Sequence, residues 1–296
     1  MSRNLLNLSG KIDKLTIELF EDISKVAKSM NIDFFVVGAT ARDIILTYGY
    51  EIKTIRATND IDLAVQVVNW EQYENLKKAL ITDEKFTITR ELQRLEYDGR
   101  LLIDILPFGV IADKDGSFFW PPEHEVKMNL LGFKEAYENA INIKLRERPV
   151  LYIKFASLPG LAIMKLISWD DKYPERGRDA KDLGFIMRNY LDAGNDKRLF
   201  DGEIDIIDRL NETGDVDYQK AGVRLLGRDM ANIAGAETKK KIIEILMRET
   251  RDKNRYRLVE NMMDNYSGSS ENFEEYIELL EQMKLGVLET GYPRFS

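Results

Sequence analysis

The hydrophobic pattern of this chain changes period near Ser157, and that change limits the fold more than any other feature. Before it, short β-rich runs alternate with amphipathic stretches; beyond it, apolar positions recur every three or four residues and the strand signal fades. Mixed strands and helices followed by helices alone predict an α+β chain. The expected layout is a mixed β-sheet flanked by helices over residues 1–155, then a mainly α-helical domain over 156–296. A chain of 296 residues is long enough for two such cores.

Leu15, Leu19, Phe20, Ile23, Val26 and Ala27 lie at helical spacing and predict a first helix over 15–28. Residues 33–37 read as a short strand ending at Gly38, and 39–46 as the helix that follows, with Gly49 as a breaker. A second strand is expected over 60–68 and a helix over 70–80. Residues 86–90, 93–97 and 100–106 read as antiparallel strands, with Asp98-Gly99 as a hairpin turn. Residues 112–122 are expected as a loop, and 123–131 and 141–153 as further strands of the sheet. Helices are expected over 158–169, 178–190, 203–210, 218–234, 239–247 and 272–288, joined by turn-rich connectors at 211–217 and 267–270.

Composition excludes several classes of function. The balance of 44% hydrophobic and 32% charged residues is that of an ordinary globular protein. A net charge of −8 gives no overall basic footprint for nucleic acid, though a local patch can sit within an acidic whole. The chain contains no cysteine, which removes disulfides and thiolate metal sites. Its single histidine, His124, stands beside Pro122 in the expected loop, and argues against a zinc site or a Ser-His-Asp triad. The amino terminus has no signal-peptide pattern, and no apolar run approaches the roughly 20 residues that span a bilayer. The expectation is a soluble, cytoplasmic protein without a membrane partner.

Against that background the run Asn59-Asp-Ile-Asp-Leu-Ala-Val65 stands out. Alternation along a strand puts Asp60 and Asp62 on one face and Ile61 and Leu63 on the other. Two carboxylates so close repel each other unless a cation lies between them. An isolated Asp-x-Asp is more often a solvated turn, but Ile61, Leu63 and Val65 make this one a strand. A third acid, Asp104, sits within the apolar run Leu101-Leu-Ile-Asp-Ile-Leu106, where an ionisable group is costly unless paired or metal-bound. If the two strands are neighbours, three carboxylates converge. Hard oxygen ligands favour Mg²⁺ or Mn²⁺, which retain waters and accept phosphate oxygens. Asp104 would then be a metal ligand or the acceptor of a proton from an attacking hydroxyl.

Two further segments suit a phosphate-bearing substrate. Val37-Gly38-Ala39-Thr40 is a strand turning through glycine into a helix, where small residues let phosphates approach backbone N–H groups. Arg42 follows in that helix, and Arg56 precedes the acidic pair. Later, Lys165 lies among Leu161, Ile163 and Leu166, and Arg176-Gly-Arg-Asp-Ala-Lys-Asp182 opens another helix. Taken alone, Lys165 reads as a lysine snorkelling from a core edge. Arg178-Asp179 taken alone reads as an ordinary ion pair at a helix start.

In order, these pieces resemble the nucleotidyltransferase superfamily with a polymerase β-type palm, and most closely the AbiEii-type nucleotidyltransferases, toxin components of abortive-infection and toxin–antitoxin systems. The resemblance is carried by Val-Gly-Ala-Thr-Ala-Arg-Asp (37–43), Arg-Ala-Thr-Asn-Asp-Ile-Asp-Leu (56–63), Ile-Asp-Ile-Leu (103–106), Lys165 and Arg-Asp-Ala-Lys-Asp-Leu (178–183). It covers residues 35–185; the remaining helices match in character only. It implies that Gly38, Ala39 and Thr40, with Arg42, Arg56 and Arg178, hold an NTP. It implies that Asp60, Asp62 and Asp104 bind Mg²⁺ (or Mn²⁺), that Lys165 contacts phosphate, and that Asp182 supplies the late acidic motif.

The activity implied is transfer of NMP from an NTP donor to an acceptor hydroxyl, on a tRNA end or a protein, with an antitoxin protein as possible partner. The second Gly or Ser usual in the turn is Ala39 here, which leaves phosphate contact to the backbone and Thr40. The turn also resembles tRNA-end-adding enzymes and poly(A) polymerases, but their Arg-Arg-Asp motif is missing after the catalytic strands. Two alternatives remain open at this level: a catalytically silent nucleotide-binding module, and a small-molecule, aminoglycoside-like nucleotidyltransferase.

Overall fold

Local capping signals set where the first helices begin. A computed structural model describes residues 5–54, 60–113, 116–122, 125–210, 216–251, 256–263 and 273–289. The chain divides into two compact units, Met1–Ser157 and Leu158–Ser296. The first unit opens with β1 (Leu6–Asn7) and α1 (Lys14–Ser29), whose first turn is closed by Asp13 accepting from the Thr16 N–H at 2.9 Å. There follow β2 (Phe34–Val37), α2 (Gly38–Asp43), a π-helical turn (Ile44–Gly49), β3 (Asp60–Gln66) and α3 (Trp70–Ile81). At the start of α3, Asn69 accepts from the Gln72 N–H at 2.9 Å while the Gln72 side chain accepts from the Val68 N–H at 2.9 Å. This reciprocal cap fixes that helix's entry. The unit continues through β4 (Phe86–Ile88), β5 (Arg94–Tyr97), β6 (Leu101–Phe108), β7 (Ser117–Phe119), β8 (Lys127–Asn129), α4 (Phe133–Glu138), β9 (Ile141–Arg146) and β10 (Leu151–Phe155).

Among the described residues, eight of these strands form one mixed sheet in the order β1-β9-β10-β2-β3-β6-β5-β4. The α+β expectation holds. The central pairs matter most for the site: β2 runs antiparallel to β3, β3 parallel to β6, and β5 antiparallel to β6. One sheet face carries Ile61, Leu63, Ile103, Ile105, Leu95 and Tyr97, all buried. Helix α1 covers this face: Phe20 meets Phe155 edge-on at 5.9 Å, and Asp22 accepts from the Tyr97 hydroxyl at 2.7 Å. Helix α3 joins it, with the buried Tyr73 hydroxyl donating to the Ile105 carbonyl at 2.9 Å.

The opposite face is covered unevenly. At one end Phe35, Phe108 and Tyr137 meet with ring centroids 5.5 Å apart, so α4 caps that end. Helix α4 has no sequence signal because its six residues are too short to show a period; it begins after Gly132, at φ 90°. Residues 112–122 were expected as a loop, yet Ser117–Phe119 is a strand there. Lys127–Asn129 pairs with it in a separate two-stranded ribbon instead of extending the main sheet. The physical reason is aromatic: Phe118 and Trp120 pack on Trp70 at 5.1 and 5.7 Å, which holds the ribbon on α3 rather than at a sheet edge.

The second unit is helical throughout its described residues: α5 (Leu158–Asp171), α6 (Gly177–Asn189), α7 (Asp196–Asp201), α8 (Ile204–Leu210), α9 (Tyr218–Ile233), α10 (Ala236–Glu249), α11 (Arg257–Met262) and α12 (Phe273–Glu289). Helices α7 and α11 were not expected, each being one and a half turns long. Helices α9 and α12 cross closely because both carry glycine at the contact. A Cβ on Gly227 would lie 3.1 Å from the Gly286 Cα, and one on Gly286 would lie 3.0 Å from the Arg228 N. Around this crossing Arg228 pairs with Glu203 at 2.6 Å, Asp205 at 2.5 Å and Glu289 at 2.7 Å.

Candidate active site

Register places the three predicted acids on the face opposite α1 and α3. Asp62 lies directly opposite Asp104 across the parallel β3–β6 pair, and Asp60 is two residues earlier on β3. Since paired residues and i, i+2 residues share a face, all three carboxylates project from the same side of the sheet. They stand at the end away from the aromatic cap of α4. All three are partly exposed, whereas their strand neighbours Ile61, Leu63, Ile103 and Ile105 are buried. The pleat therefore serves both needs: apolar residues into the α1/α3 core, acids to the accessible side.

The turn after β2 is built against this cluster. Val37 pairs with Asp62 across β2–β3, so the chain leaves the sheet beside that acid. Gly38 has φ +67°, a conformation that L side chains rarely adopt, and a Cβ there would lie 2.8 Å from the Asp62 Cγ. Ala39 and Thr40 are buried, and the Thr40 hydroxyl donates to the Asp60 carbonyl at 2.7 Å. Thr40 thus ties α2 to the start of β3 and fixes the strand that carries the Asp-x-Asp pair. Arg42 is buried too, its guanidinium bonded to the Asp43 carboxylate at 2.6 Å. Arg56 lies outside the described residues, as does His124.

A residue that the sequence reading missed completes the group. Arg94 on β5 faces Asp104 across the antiparallel β5–β6 pair. Its Nε and Nη2 donate to the two Asp104 carboxylate oxygens, each at 2.8 Å, a bidentate charge-assisted pair. The same Nη2 lies 3.5 Å from an Asp60 oxygen. The hydrogen bonds that Arg94 donates to Asp104 raise the Arg94 pKa further above its ordinary value, outweighing burial. The hairpin register sets this partner: with Asp98, Gly99 and Arg100 between the paired residues, Tyr97 pairs with Leu101, and Arg94 then falls opposite Asp104. A two-residue turn shifts that pairing by one.

Donor chemistry on this face suits a hard divalent cation, since Asp60, Asp62 and Asp104 are all carboxylates. Among the described residues, however, no group of three His, Cys, Asp or Glu side chains closes into a ligand set. Arg94 holds both oxygens of the third acid.

In the second unit, Lys165 on α5 donates to Asp179 and pairs with Asp182, both on α6 and each at 2.7 Å. Ser168 adds a hydrogen bond to the other Asp179 oxygen at 2.9 Å. Burial alone would lower the Lys165 pKa, but the two carboxylates outweigh it and raise the pKa above the ordinary lysine value. Lys165 and Asp182 are thus one buried cluster with Asp179, and Arg178 in the first turn of α6 is exposed.

An Asp-x-Asp strand, a third acid in register beside it and a left-handed glycine turn against the pair are the features of a nucleotidyltransferase palm. The model of the family described as "Nucleotidyl transferase AbiEii toxin, Type IV TA system" matches residues 25–278. The chain belongs to that family, and the protein is a nucleotidyltransferase. No curated protein matches the sequence. Among solved structures, the antibiotic-resistance factor ANT(2'')-Ia is similar at 14% identity and TM-score 0.34, over 67% of this chain and 97% of that one. The lincosamide antibiotic adenylyltransferase LnuA, with lincomycin bound, aligns at 18% identity and TM-score 0.34, over 56% of this chain and 94% of that one. The Thermotoga maritima CCA-adding enzyme complexed with tRNA aligns at 15% identity and TM-score 0.26, over 95% and 82% of the two chains. Likenesses this loose carry no argument of their own.

Proposed function

We propose that this protein transfers NMP from an NTP to an acceptor hydroxyl, with pyrophosphate as the leaving group, in a reaction that depends on Mg²⁺ or Mn²⁺. The observation that supports it is the register: Asp62 opposite Asp104, with Asp60 on the same face and Gly38 against Asp62. Asp60 and Asp62 would hold the divalent cation, with Asp104 as a further ligand. Such a cation, when bound, neutralises phosphate charge and polarises the phosphorus centre. Asp104 is the proposed acceptor of the hydroxyl proton. Gly38 and Ala39 offer backbone that phosphates can approach closely, while Thr40 acts by fixing the turn.

Lys165 and Asp182 are proposed members of the functional set in the helical unit. There Lys165 bridges Asp179 and Asp182 in a buried setting, and Arg178 is an exposed cation available to an anionic substrate. The acceptor class we favour is a tRNA 3′ end or a protein hydroxyl, with a toxin role opposed by an antitoxin protein, in keeping with the family. Incubation with each α-labelled NTP, Mg²⁺, and either total RNA or cell lysate tests this. Label is expected on one acceptor class, and should be lost in Asp60→Asn. Absence of label from both classes with every NTP overturns the proposal.

A further inference from the structure

We infer that Arg94 is a resident counter-cation of this acidic face, holding Asp104 until a divalent cation takes its place. The inference rests on reading Asp60, Asp62 and Asp104 as a metal site, and deepens it by naming the residue that governs entry. Three contacts carry it. Two are the bidentate bonds to Asp104 at 2.8 Å; the third is the 3.5 Å approach of the same guanidinium to Asp60. Arg94 thus spans the two acids that lie on either side of the strand pair, a position in which a divalent cation would be expected to sit.

The electrostatics are those of an exchange. Three carboxylates on one sheet face repel, and removing the guanidinium leaves two of them without this neutralising charge. A hard cation needs oxygen lone pairs that point at it, and both Asp104 oxygens are directed at Arg94. A divalent cation at Asp104 would share a carboxylate whose two oxygens already accept from Arg94, so the two positive charges compete for it. The Arg94 side chain has room to give way: it is 23% exposed, whereas Asp104 is 13% exposed and held by its strand. Arg94 is thus a positioning residue: it keeps Asp104 aimed, and competes with the metal for it.

The competition has a direction that a merely structural ion pair lacks. Removing the Arg94 charge should tighten binding of Mn²⁺, by about tenfold, because a like charge no longer stands at the same carboxylate. The measurement is the Mn²⁺ dissociation constant, by electron paramagnetic resonance, of the full-length wild type, Arg94→Gln and Arg94→Lys, with folding checked by circular dichroism. Arg94→Lys keeps the charge and loses the fork, so an intermediate affinity is expected and serves if Arg94→Gln does not fold. In the wild type, Mg²⁺ should also shift the Arg94 Nε resonance in a ¹⁵N spectrum. Wild-type binding with unchanged or weaker affinity in the folded variants overturns this inference and leaves the metal site standing. Absence of Mn²⁺ binding in every variant overturns the metal reading itself, and this inference with it.

Discussion

Gly38 and Asp62 share one small volume: the space where a side chain at position 38 would begin is taken by the Asp62 carboxylate, whose Cγ would lie 2.8 Å from the added Cβ. The turn and the Asp62 acid are therefore one construction. Gly38→Ala must displace Asp62 and also hold a non-glycine residue at φ +67°. The expected cost is about 1–3 kcal/mol of stability from the strained backbone. Nucleotidyl transfer is expected to fall by about 100-fold from misplacing the acid. Urea unfolding and an initial-rate assay on the same preparation separate the two effects. A variant with wild-type rate would show that the Asp62 position is not needed.

The Lys165 cluster gives a prediction about stability that does not depend on the reaction. With Asp179 and Asp182 side chains only 5% and 8% exposed, Lys165→Met leaves two nearly buried carboxylates without their shared cation. Breaking a buried pair from one side typically costs about 3–5 kcal/mol. Adding Asp179→Asn and Asp182→Asn to Lys165→Met should recover much of that loss in chemical denaturation. If the single variant is as stable as the wild type, the cluster is not the tie that its geometry indicates.

The crossing of α9 and α12 tolerates no side chain. A Cβ on Gly286 would lie 3.0 Å from both the Arg224 carbonyl carbon and the Arg228 nitrogen, and backbone cannot step aside as a flexible side chain can. Gly286→Ala is expected to destabilise by about 1–3 kcal/mol or more through overpacking. Calorimetry reads this directly. An unchanged melting temperature would mean that the helices separate without penalty.

Glu289 gives the helical unit an acid-sensitive tie. Burial raises its pKa, but hydrogen bonds from Arg224 and Arg228 outweigh burial and hold it below the ordinary value of 4.5. A carboxyl with a depressed native pKa contributes stability that is fully present above the unfolded value and is lost as pH falls through the native one. Stability should therefore decline below about pH 4.5. Glu289→Gln should flatten that decline while lowering stability at neutral pH. Parallel urea titrations at pH 7 and below 4.5 check it, and equal slopes for both proteins would refute the assignment.

Much of the donor side was legible in the sequence because alternation is a rigid rule. Once Ile61, Leu63 and Val65 mark a strand, Asp60 and Asp62 must share a face, and the observed β3–β6 register brings Asp104 to it. Arg94 was not legible, because its pairing depends on whether the Asp98 turn holds two residues or three. Local pattern cannot fix that count, whereas the pairing of Tyr97 with Leu101 in the folded chain does. Helix α4 was hidden by its length, and the β7–β8 ribbon by contacts made far away in sequence, on Trp70. Lys165 was visible as a semi-buried lysine and Asp179 and Asp182 as acids opening the next helix; the packing of α5 on α6 brings the three together.

The central claim is transfer of the α-phosphoryl group with pyrophosphate leaving from the acidic face of β3 and β6. A paired assay with α- and γ-labelled NTP, Mg²⁺ and the acceptor fraction tests it most directly, using wild type and Asp62→Asn. The expected result is α-label on a macromolecule and γ-label in pyrophosphate, in equal amounts, with both lost in Asp62→Asn. Release of γ-label as inorganic phosphate, or transfer that persists unchanged in Asp62→Asn, would contradict it.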